Sequence, residues 1–356
     1  MDMDEKERID CLFETGELPL SEYAPLIDER SKEASEYLFE KARIRQEENF
    51  GKRVFLRGII EFSNFCRCDC LYCGIRKSNA HAERYHLTKD EILSCARQGY
   101  GFGFRTVVLQ SGEDLSYTDE MICDIVSSIR AQMPDMTVTL SIGEKDRASY
   151  ERYFDAGADR YLLRHESASP DLYAKLHPAA QTLENRIRCL YDLKDIGYQV
   201  GAGMMLETPY QKTEDLVEDL LFLRQLRPEM IGIGPFIPHK DTPFRGEKEG
   251  STDLCLFMIG VLRLMFPKAL IPATTALGTV NPLGREKGIL AGGNVIMPNL
   301  SPKRVRGKYL LYDGKICTGE DASQCQGCIR GRMKRIGYEV DPGRGDYPGW
   351  VRRERT

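Results

Sequence analysis

No apolar run in the 356-residue chain approaches the ~20 residues needed to cross a bilayer. Its longest uncharged stretches, such as VVLQSG and IGIGPFIP, stop far short. The first ten residues, MDMDEKERID, are acidic and carry neither a basic leader nor an apolar core. A signal peptide is therefore not expected, and a cytoplasmic location is. There is a single tryptophan, and aromatic residues are not interleaved with Lys and Arg as on a nucleic-acid surface. Low-complexity tracts are missing as well. With 42% hydrophobic and 29% charged residues, the composition excludes a disordered or collagen-like chain and leaves a globular one with a large core.

Charge is unevenly spread within a formal net of −4. Residues 1–50 carry 15 acidic and 7 basic residues, whereas residues 301–356 carry 13 basic and 7 acidic. The acidic stretch reads as a solvated helical face, and the basic one as a tail open to an anionic substrate or a partner.

Twelve cysteines would suggest disulfides in a small secreted chain, but in a large intracellular one thiols stay reduced. Their distribution matters more. Cys66, Cys68, Cys70 and Cys73 crowd one segment, and Cys317, Cys325 and Cys328 another, which points to metal or iron–sulfur ligation. Cys11, Cys95, Cys123, Cys189 and Cys255 are scattered through helix-like stretches and read as small buried hydrophobes.

Residues 1–50 are rich in helix formers and form an expected N-terminal helical segment. Beyond Gly51, short apolar segments alternate with amphipathic ones. Candidate strands cover 54–62, 106–110, 137–141, 160–164, 198–205, 230–234, 270–274 and 294–298. Thr88 and Glu91 have the spacing of a capping box, and Thr182 opens another helix ahead of Leu183, Ile187, Leu190 and Leu193. Such an alternation over residues 51–300 predicts an α/β fold, a (β/α)8 TIM-type barrel, with a doubly wound open sheet as the alternative. From about residue 301 the pattern fades into a C-terminal tail, 301–356.

In a barrel, function collects on loops after the C-terminal ends of strands. Those loops carry Cys66, Cys70 and Cys73, then Gln110 to Glu113, Ser141 to Glu144, and Arg164 to Glu166. Thr274 and Thr275 end the seventh strand, and Met297 to Asn299 the eighth. The spacing C-x3-C-x2-C at Cys66, Cys70 and Cys73 suits three irons of a cubane, with the fourth left open to a ligand. A closed zinc site wants four ligands, and only Cys68 could supply the fourth. Tyr72, just before the last Cys, suits a flat ring placed against an adenine.

This Cys loop resembles that of the radical S-adenosylmethionine (SAM) superfamily. The strings IEFSNFC, YCGIR, VLQSGED, ADRYLLRHE, GIGPFIPH, IPATTALGT and NVIMPN resemble the [FeFe]-hydrogenase maturase family HydE. The resemblance implies a [4Fe–4S] cluster on Cys66, Cys70 and Cys73 that binds and reductively cleaves SAM, yielding a 5′-deoxyadenosyl radical. It further implies a second Fe–S cluster, [2Fe–2S] or [4Fe–4S], at Cys317, Cys325 and Cys328. SAM would be held by Tyr72, Ser141, Glu166 and Arg186, the last two taking its ammonium and carboxylate. Arg57, Gln110, Ser111, Thr139, Arg164, Met230, Thr274, Thr275, Met297 and Tyr309 would face the substrate. That substrate would be a small iron-containing, cysteine-derived precursor bearing CO and cyanide. Implied partners are companion hydrogenase maturases (a radical SAM tyrosine lyase and a GTPase scaffold) and a ferredoxin or flavodoxin reductant. Nucleic acid and membrane are not expected partners.

The chain departs from the family pattern after the fifth strand, where Met204 is larger and Glu207 more charged than the usual turn, and in the extra thiol of Cys68. Alternatives are a methylornithine synthase-like mutase, a biotin synthase-like enzyme, or a non-catalytic Fe–S scaffold or carrier.

Overall fold

The computed structural model describes residues 3–319 and 322–352, with only the backbone of 322–325. The strands are β1 (Arg53–Leu56), β2 (Gly58–Ser63), β3 (Thr106–Ser111), β4 (Thr137–Ser141), β5 (Ala158–Leu162), β6 (Gln199–Ala202), β7 (Met205–Leu206), β8 (Met230–Ile231), β9 (Gly234–Pro235), β10 (Val295–Ile296) and β11 (Glu339–Asp341). β2-β3-β4-β5-β6-β8 form one parallel sheet, and β10-β1-β11 another. Parallel bridges Met230–Leu270, Pro272–Val295 and Ile59–Asn299 join the two into a closed ring. The wall is thus the expected barrel, and the open-sheet alternative falls.

Four expected strands differ. Those at 198–205 and 230–234 are each split in two, into β6 with β7 and β8 with β9. The segment 270–274 holds only bridges, because Pro272 has no N–H to donate to a ladder. The segment 54–62 is split at Arg57, below which it pairs with β10 and above which with β3. The helix starts are as read: Thr88 and Glu91 make both arms of a capping box, and Thr182 accepts the Asn185 N–H.

Register explains why the wall closes as it does. The outward row Ile60–Leu109–Leu140–Tyr161–Val200 is apolar and joins the main core beneath the helices. The inward row Ile59–Val108–Thr139–Arg160–Gln199 and the row above it, Glu61–Gln110–Ser141, are mostly polar. A barrel without a ligand fills its lumen with branched apolar side chains; this one spends its apolar residues outside.

The N-terminal helices Glu5–Thr15 and Lys32–Phe50 lie against the buried helix Thr252–Met265, where Leu38 fills the space beside Gly260. The described residues after 301, up to 352, pack against both ends of the barrel. At the top, Gly74 donates to Leu311 O (2.8 Å), Asp313 to Pro238 O (3.1 Å), and Lys315 Nζ to Glu61 Oε1 (2.5 Å). At the bottom, Arg160 Nη2 bonds to Arg344 O, Gly345 O and Asp346 Oδ1 (2.9, 2.8 and 2.7 Å), and Gln199 Nε2 to Asp346 Oδ1 (2.8 Å). Among the described residues no helix is long and apolar enough to cross a membrane.

Candidate active site

The Cys loop leaves the top of β2 and is stitched in place by main-chain bonds. Arg67 N donates to Glu113 O (2.9 Å), Leu71 N to Leu176 O (3.0 Å), and Lys77 N to Cys68 O (2.8 Å). Arg84 bonds to the carbonyls of Asn64, Ile75, Arg76 and Asn79 (2.5, 2.8, 2.6 and 3.2 Å) and so ties the loop's two limbs together. Glycine is required on both sides. A Cβ at Gly112 would lie 2.3 Å from Phe65 O and 2.7 Å from the Cys66 Cβ, and one at Gly74 would lie 2.3 Å from Leu310 O. Backbone approaches this close leave the thiols in a narrow polar cradle.

The four thiols are unlike one another. A hydrogen bond from Cys68, helped by the Cys68 and Glu113 N–H groups, draws the Cys66 thiol down to about 7 against the effect of burial. Cys68 moves the other way, because it keeps the proton it gives to Cys66 and is itself buried. Burial pushes Cys70 up to about 12, with Arg186 opposing and the charges of Cys66 and Glu166 adding; burial raises Cys73 too. Cys70 and Cys73, which burial keeps neutral until a metal takes the place of the proton, and the more acidic Cys66 are soft donors of the kind an Fe–S cluster uses. Among the described residues no three His, Cys, Asp or Glu side chains converge on one point as a single ion requires. Cubane thiolates bind separate irons, and three soft thiols on one loop fit such a cluster. Cys68→Ser is expected to leave iron content and cofactor cleavage unchanged, because a serine hydroxyl still donates to Cys66. A cluster lost in that variant, seen as loss of its visible absorption, would contradict the choice of ligands.

Beside Cys70 lie Glu166 and Arg186, each with a partner of its own. Glu166 follows β5 and pairs with Arg164 (2.9 Å), while its N–H bonds to Gly203 O (3.0 Å). Arg186 bonds to Glu144 Oε1 (2.6 Å) and Arg164 O (3.0 Å). The sequence put Glu113 and Glu144 on the rim but gave neither a role. In the structure Glu113 Oε2 takes Arg67 (2.9 Å) and its Oε1 the Glu144 N–H (2.9 Å), so the two carboxylates connect the Cys loop to Arg186.

Tyr72 is half-buried, packed against Leu172, Leu176, Phe236 and Phe244. Its hydroxyl meets His177 Nε2 (3.1 Å), and His177 Nδ1 meets Tyr173 O (3.0 Å). Burial lowers His177 from 6.5 to about 4. The unfolded chain therefore binds a proton near pH 6.5 that the folded one refuses. This group's stability contribution is full above that pH and lost as pH falls toward 4, by up to roughly 3 kcal/mol. Urea unfolding from pH 7 to 4.5 should show wild type losing stability faster than His177→Gln; parallel profiles would contradict a neutral buried imidazole.

The remaining residues line the lumen at several depths. Gln110, Ser111, Ser141, Arg164, Thr274 and Thr275 are half-buried at the upper rim. Thr274 Oγ1 caps the Leu277 N–H (3.4 Å), and Thr275 Oγ1 accepts from Arg285 (3.4 Å). Thr139 lies at mid-depth, its hydroxyl unpartnered. Arg57 is buried near the floor, bonded to Met230 Sδ (2.8 Å) and more weakly to Gly345 O (3.4 Å), with its Nε unpartnered. Met230 belongs to a lower apolar cluster with Phe55, Leu270 and Val295, and Met297 packs against it. Tyr309 is fully buried beneath Lys315. The Lys315–Glu61 pair, with Asn299 also on Glu61 (2.8 Å), is a buried charge pair at the mouth that the sequence did not reveal.

Two of the three departures from the family pattern, Met204 and Glu207, are packed into the surrounding structure. Met204 is in the main core, and the Glu207 carboxylate accepts the Ser251 N–H at the start of the helix Thr252–Met265. Of the second Cys group, Cys317 accepts from Arg285 (3.5 Å) and Cys328 is exposed on the helix Ala322–Arg335. The Cys325 side chain lies outside the described residues.

Comparison with known proteins agrees with this geometry. Residues 60–223 match the Radical SAM superfamily profile. The chain is 48% identical to the [FeFe] hydrogenase maturase subunit HydE of Thermotoga maritima, over 88% of this chain and 89% of that one. It is 31% identical to the 3-methylornithine synthase of Methanosarcina barkeri, over 85% of each. Among solved structures, methylornithine synthase (PylB) superposes with a TM-score of 0.81 at 26% identity, covering 94% of this chain and 97% of that one. The maturase HydG superposes with a TM-score of 0.81 at 20% identity, covering 96% and 77%.

Proposed function

From the premise that this chain belongs to the radical SAM superfamily, we propose that it is a HydE-type maturase, an enzyme of [FeFe]-hydrogenase H-cluster assembly. The 48% identity along nearly all of both chains carries the reading. Cys66, Cys70 and Cys73 would hold a [4Fe–4S] cluster with one iron open. When bound, that cluster and SAM supply reductive sulfonium cleavage and a 5′-deoxyadenosyl radical.

The chain's own residues bind, orient and shield. Glu166 would take the ammonium of SAM, and Arg186 its carboxylate through a planar fork. Arg164 and Glu144 hold these two side chains oriented beforehand, so less ordering remains for binding to supply. Tyr72 and Ser141 would flank the rest of the cofactor. Gln110, Ser111, Arg164, Thr274 and Thr275 at the rim, Tyr309 beneath Lys315, and Thr139 and Arg57 deeper would offer donors to an anionic, iron-bound cysteine derivative bearing CO and cyanide. Met230 and Met297 would form the soft wall of that chamber. The segment 308–317 would cover the mouth, with Lys315 anchored on Glu61.

Companion maturases would supply the precursor and receive the product: a radical SAM tyrosine lyase and a GTPase scaffold. A ferredoxin or flavodoxin would deliver electrons in the cytoplasm. Cys317, Cys325 and Cys328 would bind a second Fe–S cluster that orders the chain end.

The M. barkeri relative favours one competing reading, a lysine mutase. Reconstituted protein with SAM and reductant, offered either a CO- and cyanide-bearing iron–cysteine complex or lysine, separates the two. Loss of the complex's infrared CO and cyanide bands, with lysine intact, is expected. Conversion of lysine with the complex untouched would overturn the maturase reading.

A further inference from the structure

Between Arg164 and Glu166 lies His165, which the proposed chemistry does not use. It is fully buried, and so is Asp219 on the helix Thr213–Leu226. A carboxylate inside an otherwise apolar helix face is costly unless its oxygens are engaged. Asp219 Oδ1 takes His165 Nε2 (3.1 Å) and the Ala168 N–H (2.6 Å), while Oδ2 has no hydrogen-bond partner. Among the described residues, the hydrogen bonds of this carboxylate therefore hold the loop 165–168.

The other ring nitrogen completes the arrangement. His165 Nδ1 accepts the Gly203 N–H (3.2 Å), which fixes the proton on Nε2. Gly203 in turn accepts the Glu166 N–H on its carbonyl (3.0 Å). Gly203 has φ +147°, and a Cβ there would lie 1.9 Å from Gly232 O, so the loop cannot relax by moving this residue. Glu166 itself has φ +67°, a left-handed backbone that a non-glycine residue adopts only when its surroundings impose it. Phe222, edge-on to the imidazole at 4.9 Å, keeps water from competing for these bonds.

We propose that His165 and Asp219 are positioning residues that impose the left-handed conformation of Glu166 and so aim its carboxylate at the ammonium group of SAM. The inference rests on the reading of Glu166 given above and adds the residues that make it possible. The two amide replacements of His165 divide its bonds. Asn places an oxygen near Nδ1 and keeps the Gly203 contact, whereas Gln places an amide nitrogen near Nε2 and keeps the Asp219 contact.

Two readouts test this. The first is the dissociation constant for SAM by equilibrium dialysis on reconstituted protein; the second is amide hydrogen exchange at Glu166, Ala168 and Gly203 without SAM. His165→Phe, which fills the space but makes neither bond, should weaken SAM binding about tenfold or more, as loss of two buried hydrogen bonds implies. The three amides should exchange faster while iron content stays at the wild-type level. His165→Asn and His165→Gln should each recover part of the affinity, and they carry the test if the Phe variant fails to fold. Glu166→Gln is the control. If Glu166→Gln weakens SAM binding but all three His165 variants bind within twofold of wild type, the positioning proposal is wrong and the Glu166 reading stands. If Glu166→Gln binds as wild type, the Glu166 reading itself fails and the proposal falls with it.

Discussion

Cys70→Ala is expected to abolish both the cubane absorption and 5′-deoxyadenosine formation, leaving the protein folded. Cys70 is a thiol on which both charges proposed for the cofactor bear, Arg186 lowering and Glu166 raising its proton affinity. Its Sγ also meets the Gln181 side-chain oxygen (3.4 Å) and the Tyr72 side chain, contacts whose loss is minor. Removing it leaves two thiolates where three irons need one each, and Cys68 cannot substitute because it lies against Cys66 with its proton retained. The barrel does not depend on this side chain, so the effect is confined to the metal. A variant that reconstitutes a reducible cubane and still cleaves SAM would overturn the assignment.

A second large effect is predicted for Glu144. Its carboxylate and the Arg186 guanidinium are nearly buried (7% and 9% exposed) and 2.6 Å apart, with Asn185 Nδ2 on the other oxygen (2.5 Å). Glu144→Leu leaves an uncompensated buried cation, which costs about 3–5 kcal/mol. The double variant Glu144→Leu/Arg186→Met removes both charges and should regain most of that, because well-packed apolar replacements of a buried pair are often neutral. Urea denaturation of the protein without cluster gives the comparison. A double variant as unstable as the single one would mean that the carboxylate stabilises the fold through its other partner, Asn185 Nδ2, rather than by neutralising Arg186. Neither variant should bind SAM with wild-type affinity, since Arg186 is displaced or absent in both.

Much of this was legible in the chain, for physical reasons that also mark where legibility ends. Strand positions followed from the apolar outer rows, because Val107, Leu109, Val138 and Leu140 must reach the core whatever the lumen holds. The Cys triad and the rim loops followed from spacing and from the rule that barrel loops carry function. Arg57 was legible as a residue type, but its depth near the floor was not, since the split between β1 and β2 depends on partners far along the chain. Lys315 lies 254 residues from Glu61, and Arg160 lies 186 from Asp346. No local pattern encodes such pairs; they exist because the basic tail wraps both ends of the barrel. The Glu113–Glu144 connection was hidden for a related reason. Each acid looked like ordinary loop polarity until the fold placed Arg67 on one side and Arg186 on the other.

The central claim is that three thiols at the barrel's upper rim leave one iron open beside Glu166 and Arg186. The electron paramagnetic resonance spectrum of the reduced cubane, recorded with and without SAM, tests it most directly. A changed g-tensor on adding SAM, lost in Arg186→Met, is the predicted result. A spectrum identical with and without saturating SAM, in protein carrying a full cubane, would contradict it.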